Sequence, residues 1–266
     1  MSRLIVLMAF VLLPVISSAE TDETTQAGAL SFGAGVEFST GKYGGEIRTD
    51  IFYLPLAFKY STSGYALSLT VPYISVTSNG DVVPGTGGVN RGRGRSTTPA
   101  ASGTQTITQS GPGDVLASVG YNIYSEDALT LNILGNVKFG TANADKGLGT
   151  GKNDYAAQLD TFYAGAATAY YASVGYKVVG VPESYALNNV AYGSIGATTP
   201  MRDQFRAGLR LDAAQRANAN TEEKRSVTFD ITQRLSGGGS VSVSLLKGLS
   251  TSSPDLMGAV YLSVLM

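Results

Sequence analysis

Apolar residues alternate with small or polar ones over most of this sequence, and that period of two constrains the fold more than any other feature. In LSFGAGVEF, Leu30, Phe32, Ala34, Val36 and Phe38 share one face, while Ser31, Gly33, Gly35 and Glu37 share the other. One such strand suits a soluble sandwich or a barrel in lipid equally well. Similar segments recur at about 50–60, 65–76, 114–124, 129–139, 155–165, 168–178, 189–195, 203–213, 225–235, 240–248 and 257–266. That makes about twelve strands near the ~10-residue length of a membrane barrel. No amphipathic helix stands out after the N-terminal residues.

The connections are sorted by length. Short ones read STSG (61–64), SED (125–127), the region from Gly165 to Ala167, ATTPM (197–201) and SGGG (236–239); between them fall longer ones at 39–49, 77–113, 140–154, 179–188, 214–224 and 249–256. With antiparallel strands and both termini on one side, every short turn falls on that side and every long loop on the other. Outer-membrane barrels have short periplasmic turns and long extracellular loops, whereas a sandwich has no reason to sort its loops this way.

A sheet that spans lipid must pair every backbone N–H and C=O internally, so it has to close on itself, and an even strand number closes antiparallel. The expected lipid face includes Leu67, Leu69, Val71 and Tyr73, then Val115, Ala117, Val119, Tyr121 and Ile123, then Leu129, Leu131, Ile133, Val137 and Phe139. Tyr60, Tyr65, Tyr73, Tyr155, Tyr163 and Tyr170 fall near strand ends, where an interfacial girdle sits, and with no Trp in the chain Tyr must build it. The last segment alternates Val260, Leu262, Val264 and Met266 outward like a closing strand, with Met where an aromatic is usual. The fold class expected is therefore all-β, a transmembrane antiparallel barrel.

Arg3, an apolar run from Leu4 to Ile16, and small residues at Ser17 and Ala19 read as a secretory signal peptide cleaved after Ala19. This run is shorter than the ~20 residues of a spanning helix. The expected organisation is signal peptide 1–19, a short periplasmic segment 20–29, and a barrel over 30–266 with a long extracellular loop at 77–113. Cysteine is absent, which excludes a lipoprotein anchor, disulfides and thiolate metal sites, and histidine is absent too, which removes the commonest general base and metal ligand. No metal or cofactor is expected. A net charge of −1 points to no bulk nucleic-acid partner.

The stretch KGLGTGKND (Lys146 to Asp154) has the look of a phosphate-binding loop but fails its spacing. Lys146 stands where the first glycine should be, and Asn153 where a hydroxyl should follow Lys152. Within an outward loop at 140–154, its Gly and Asn residues are expected to supply positive-φ turns, with Lys146, Lys152 and Asp154 keeping the tip solvated. The run from Gly111 to Asp154 resembles the core of the meta-pathway phenol degradation family of outer-membrane transporter proteins. Gly111, Gly113 and Asp114 match its Gly-x-Gly-Asp strand start, Lys138 and Thr141 match a Lys-x-Pro-Thr-Gly segment in which Gly140 and Ala142 differ, and Leu148 to Gly151 match its Leu-Gly-Thr-Gly loop. The resemblance implies a barrel that takes up hydrophobic or aromatic compounds.

Alternation turns Lys59, Lys138, Gln158, Asp160, Lys177, Arg206, Arg210, Asp212, Asp230 and Arg234 inward. Two readings stand: a charged constriction that selects solutes, or mutually paired charges that fill a narrow barrel. In the long loop, Arg91, Arg93 and Arg95 lie between glycines without interleaved aromatics, which suits contacts to lipopolysaccharide phosphates or a solvated loop rather than RNA. A loop of that length can also fold inward over the pore. Enzymes of such barrels generally lean on His, which leaves a carboxylate pair such as Asp160 and Asp212 as the rival catalytic constellation, and both are as easily explained as partners of lumen arginines. The expected role is passive diffusion of small solutes across a bacterial outer membrane. The expected partners are membrane lipid, lipopolysaccharide, the barrel-assembly machinery and the solute. The alternative is a structural or adhesive barrel acting through its loops.

Overall fold

The structure, a computed structural model, describes residues 28–45, 47–78, 106–183, 187–202, 204–218 and 221–266. The signal peptide, nearly all of segment 20–29, and Arg91, Arg93 and Arg95 lie outside the described residues.

The strands are β1 (Ala29–Gly41), β2 (Thr49–Ser61), β3 (Tyr65–Ser78), β4 (Ile107–Pro112), β5 (Val115–Glu126), β6 (Leu129–Phe139), β7 (Asp154–Ala164), β8 (Ala169–Val178), β9 (Val190–Arg202), β10 (Phe205–Ala214), β11 (Lys224–Arg234), β12 (Ser240–Gly248) and β13 (Leu256–Leu265). Sequential neighbours pair antiparallel from β5 through β13, and β1 pairs with both β2 and β13, Ser31 standing opposite Leu265. The sheet is thereby closed. β4 and β5 form one stave, because β3 offers Tyr73–Ser78 to β4 and Tyr65–Thr70 to β5. The stave breaks at Gly113 and Asp114, where the Gly113 N–H still donates to the Pro72 carbonyl at 2.8 Å. Twelve staves result.

Two expected boundaries are corrected. Residues 77–113 are not all loop: β3 runs to Ser78, and β4 extends it as a hairpin arm beyond the wall shared with β6. ATTPM is not a turn but the end of β9, where Thr198, Thr199 and Pro200 pair with Gly208, Ala207 and Arg206, and the chain reverses after Arg202. The β-branched threonines suit a strand, and the proline, which cannot donate to a ladder, sits beside a register shift at Phe205 and Arg206.

The ladder registers put the start of β1, the end of β13 and the tight turns at one end of the barrel, here the terminal end, and the strand ends that lead into the long connections at the other, the loop end. The apolar stripe faces outward as a continuous belt: Val174 is 61% exposed, Ile195 59% and Leu209 52%. Tyr60, Tyr65, Tyr121, Tyr163 and Tyr170 ring the terminal end, and Tyr155 and Tyr176 stand on the outside at the loop end. A surface this apolar is stable only against hydrocarbon, with Tyr at its margins.

Inside, the barrel is divided. Behind the loop-end parts of β2 and β3, Ile51, Ile74 and Val76 pack with Tyr43 and with Ala142 and Leu148 from the β6–β7 loop into a closed core. A smaller core of Val179, Val190 and Ala217 sits between the loop ends of β8, β9 and β10. The remaining inner wall, chiefly β5 to β11, is polar and encloses open space.

Candidate functional site

The open space is a cavity of ≈ 970 Å³ that runs from the tight turns (Thr62, Asp127, Thr168) to Tyr43, Ser253 and Pro254 near the loop end. Its wall has little bulk because inward glycines receive rings from the next strand. Gly175 stands opposite Tyr192, and Gly196 opposite Tyr171, across β8 and β9. A Cβ on Gly175 would lie 2.4 Å from Tyr192 Cζ, and one on Gly196 2.3 Å from Tyr171 Cζ. Tyr261 of β13 covers Gly33 and Gly35 of β1 in the same way. Each ring lies along the wall instead of projecting across the lumen.

Of the ten inward residues named from the sequence, Lys59, Lys138, Gln158, Asp160, Lys177, Arg206, Arg210 and Asp212 line this cavity. Asp230 and Arg234 stand on the same inner face through their pairings with Gly208 and Ser240, with the Asp230 carboxylate over Gly208, but they do not line the cavity. Several are already matched. Arg210 Nε meets the Asp212 carboxylate at 2.9 Å, and Gln158 Nε2 donates to Asp160 Oδ1 at 2.6 Å. Asp160 and Asp212 are thus engaged by different partners. Among the described residues no group of three His, Cys, Asp or Glu side chains converges as a metal site would.

Lys138 has a distinct place. Its ammonium donates to Asp114 Oδ2 at 2.9 Å, lies 3.5 Å from Asp154 Oδ2, and donates to the Lys152 carbonyl at 3.1 Å. All three side chains are almost fully enclosed. Asp114 Oδ1 accepts the Ala142 N–H at 2.9 Å, and Asp154 Oδ1 accepts the Gly180 N–H at 2.9 Å. The triad therefore ties the β4–β5 break to the ends of β6 and β7 and to two loops. Breaking such a buried set by removing one charge typically costs about 3–5 kcal/mol.

The β6–β7 loop departs from its expected solvated form. Lys146 and Lys152 are exposed, and Gly147 and Gly151 have φ of 73° and 65° as turn glycines should, but Asp154 is buried in the triad. Leu148 is 2% exposed and closes the apolar core behind β2 and β3. Gly149 is required by proximity, since a Cβ there would lie 2.8 Å from Ala142 Cβ and 3.0 Å from the Asp114 carboxylate. The residues that carry the family resemblance, Asp114, Lys138 and Leu148 to Gly151, meet in this one latch.

The other loops are also tied down at the loop end. Asn188 N donates to the Ala217 carbonyl at 2.7 Å, Glu222 N to Ser252 Oγ at 3.1 Å, and Thr251 N to Glu222 Oε2 at 3.2 Å. Hydrogen bonds from the Thr251 hydroxyl and the Thr251 N–H hold the exposed Glu222 carboxyl below the ordinary carboxylate range. Burial beneath the loops raises the Tyr43 phenol, whose hydroxyl donates to Ser39 at 2.7 Å.

Sequence reasoning passed over Asn136, Tyr171, Tyr192 and Lys224, all of which line the cavity. The adjacent pair Tyr170 and Tyr171 was a readable signal, because neighbours on a strand face opposite ways and both cannot belong to the outer girdle. Lys224 was missed by placing the start of β11 one residue late.

No family model matches the sequence, and no curated protein matches it. Solved structures do share the fold. The COG4313 outer membrane channel from Pseudomonas putida F1 superimposes with a TM-score of 0.66 at 11% identity, over 91% of this chain and 97% of that one. A KdgM porin in complex with disordered oligogalacturonate gives 0.56 at 8% identity, over 88% and 98%. A NanC porin gives 0.54 at 12% identity, also over 88% and 98%. At these identities the likeness is one of architecture: this chain has the closed barrel of bacterial outer-membrane proteins.

Proposed function

We propose that this protein is an outer-membrane channel through which small solutes diffuse passively. The observation that carries this reading is the ≈ 970 Å³ cavity running along the barrel interior, lined by polar and charged side chains within an apolar outer belt. The terminal end faces the periplasm and the loop end faces outside, following the usual sorting of turns and loops. The neighbours named as a channel and as porins, one of them holding an oligogalacturonate, support a small-molecule solute. The resemblance to the meta-pathway phenol degradation family supports hydrophobic or aromatic compounds as the class, and residues 1–19 are its export signal. Membrane lipid, lipopolysaccharide and the barrel-assembly machinery are the partners this role entails. No catalytic role is proposed, since Asp160 and Asp212 are each taken up by a neighbour.

Within this reading Arg206 and Arg210 on β10, which line the cavity, shape the field along the path. Purified protein in planar bilayers should give stepwise conductance, and Arg206→Ala with Arg210→Ala should move the reversal potential in a salt gradient toward cation preference. A silent bilayer, with binding to cells that depends on the loops, would favour the adhesive alternative.

A further inference from the structure

Two connections at the loop end turn inward over the cavity. Between β1 and β2 the Gly45 N–H donates to the Lys42 carbonyl at 2.6 Å, and both residues between them have positive φ, 47° at Tyr43 and 74° at Gly44. Such turns favour Asn, Asp or Gly, because other side chains are strained there. A tyrosine suits the turn poorly, so its presence is explained by where its ring goes. The ring is 2% exposed, packs with Ile51, Ile74 and Val76, and donates its hydroxyl to Ser39 Oγ at 2.7 Å. Ser39 stands on the inner face of β1 opposite Ile51 and Met257, which places the ring inside the mouth of the barrel.

The β12–β13 connection approaches from the other side of the seam. Ser253 and Pro254 line the cavity together with Tyr43. A Cβ on Gly41 would lie 3.0 Å from Pro254 Cα, and one on Gly248 2.8 Å from Ser253 Cβ, so this loop rests on inward positions of β1 and β12. The Ser253 hydroxyl fixes it, donating to the Arg225 carbonyl at 2.8 Å and accepting the Arg225 N–H at 3.2 Å. Backbone held in a sparsely populated region is a pointer to function. From this geometry we infer that Tyr43 and Pro254 form the size-limiting constriction of the channel at its loop end, with Tyr43 as the residue that sets the limit. Neither carries a charge, so the constriction discriminates by width, while Arg206 and Arg210 act on sign. The inference rests on the channel reading, but access past Tyr43 can be measured without conduction.

The test compares wild type with Tyr43→Gly, which suits the turn and removes the ring, and with Tyr43→Phe, which keeps the ring. In planar bilayers Tyr43→Gly should raise single-channel conductance on the order of twofold or more, since the narrowest section dominates the resistance of a pore, and Tyr43→Phe should stay near wild type. Heat-modifiable gel mobility reports assembly, and Pro254→Ala serves where the glycine variant does not assemble. The chain has no cysteine, so Ser118→Cys on the cavity wall offers a single thiol. A maleimide on a polyethylene glycol chain, added outside intact cells, should label that thiol severalfold faster when Tyr43→Gly is also present. Unchanged labelling in an assembled Tyr43→Gly variant overturns the constriction whether or not the protein conducts, and so does unchanged conductance in a conducting one. An equal gain from Tyr43→Phe overturns it too, because the ring is then not the obstacle. Faster labelling with silent bilayers from every variant would sink the channel and keep the constriction.

Discussion

The two halves of the barrel interior obey the same alternation and come out differently. Behind the loop-end parts of β2 and β3 the inward positions are Ile51, Tyr53, Ile74 and Val76, and the space is filled by them together with Tyr43, Ala142 and Leu148. Along β6 to β11 the inward positions include Asn136, Gln158, Ser173, Ser194, Arg210 and Thr228, and the space is left open. Period two decides only which side a residue faces. Whether that side becomes a core or a passage depends on the chemistry of the inward set and on whether a loop supplies the missing volume, as Leu148 does.

The contrast can be broken at its joint. Lys138→Ala removes the cation that bridges Asp114 and Asp154, and should destabilise the barrel by about 3–5 kcal/mol. Urea unfolding of vesicle-inserted protein measures this, and a loss below about 1 kcal/mol would mean that the latch contributes little. Leu148→Ala, which opens the filled half, should cost about 2–3 kcal/mol as a buried large-to-small change. It should also raise single-channel conductance, because the β6–β7 loop loses its anchor; an unchanged conductance would show that the filled half does not limit passage. Gly175→Ala acts on the open half, pushing the Tyr192 ring off the wall at a cost of about 1 kcal/mol or a little more. The readout is lower conductance, and a higher one would mean that the ring swings out of the path instead.

Much of the wall was legible from the sequence, and little of the interior was. Strand faces such as Leu67, Leu69 and Val71 follow from local alternation, and the sorting of connections follows from counting along the chain. β4 was not legible, because ITQSGP has neither a clear apolar face nor the length of a stave, and its pairing with the extended end of β3 is a property of the sheet. ATTPM misled because a proline after two threonines reads as a turn until its cross-strand neighbours are known. Lys138 was correctly turned inward, yet its clamp role depends on Asp114 and Asp154, which arrive from segments on either side of it. The core role of Leu148 was hidden by the glycines around it: Gly147, Gly149 and Gly151 signal a loop, and nothing local says that the loop folds inward.

The seam where Ser31 meets Leu265 couples the earliest and latest parts of the barrel, so the wall has two raw edges until the last strand arrives. A chain of this design cannot mature stave by stave as it emerges. It must cross the periplasm with its bonding groups unspent and zip shut in one late, long-range event, which makes slow assembly and a need for escorts during transit consequences of topology itself.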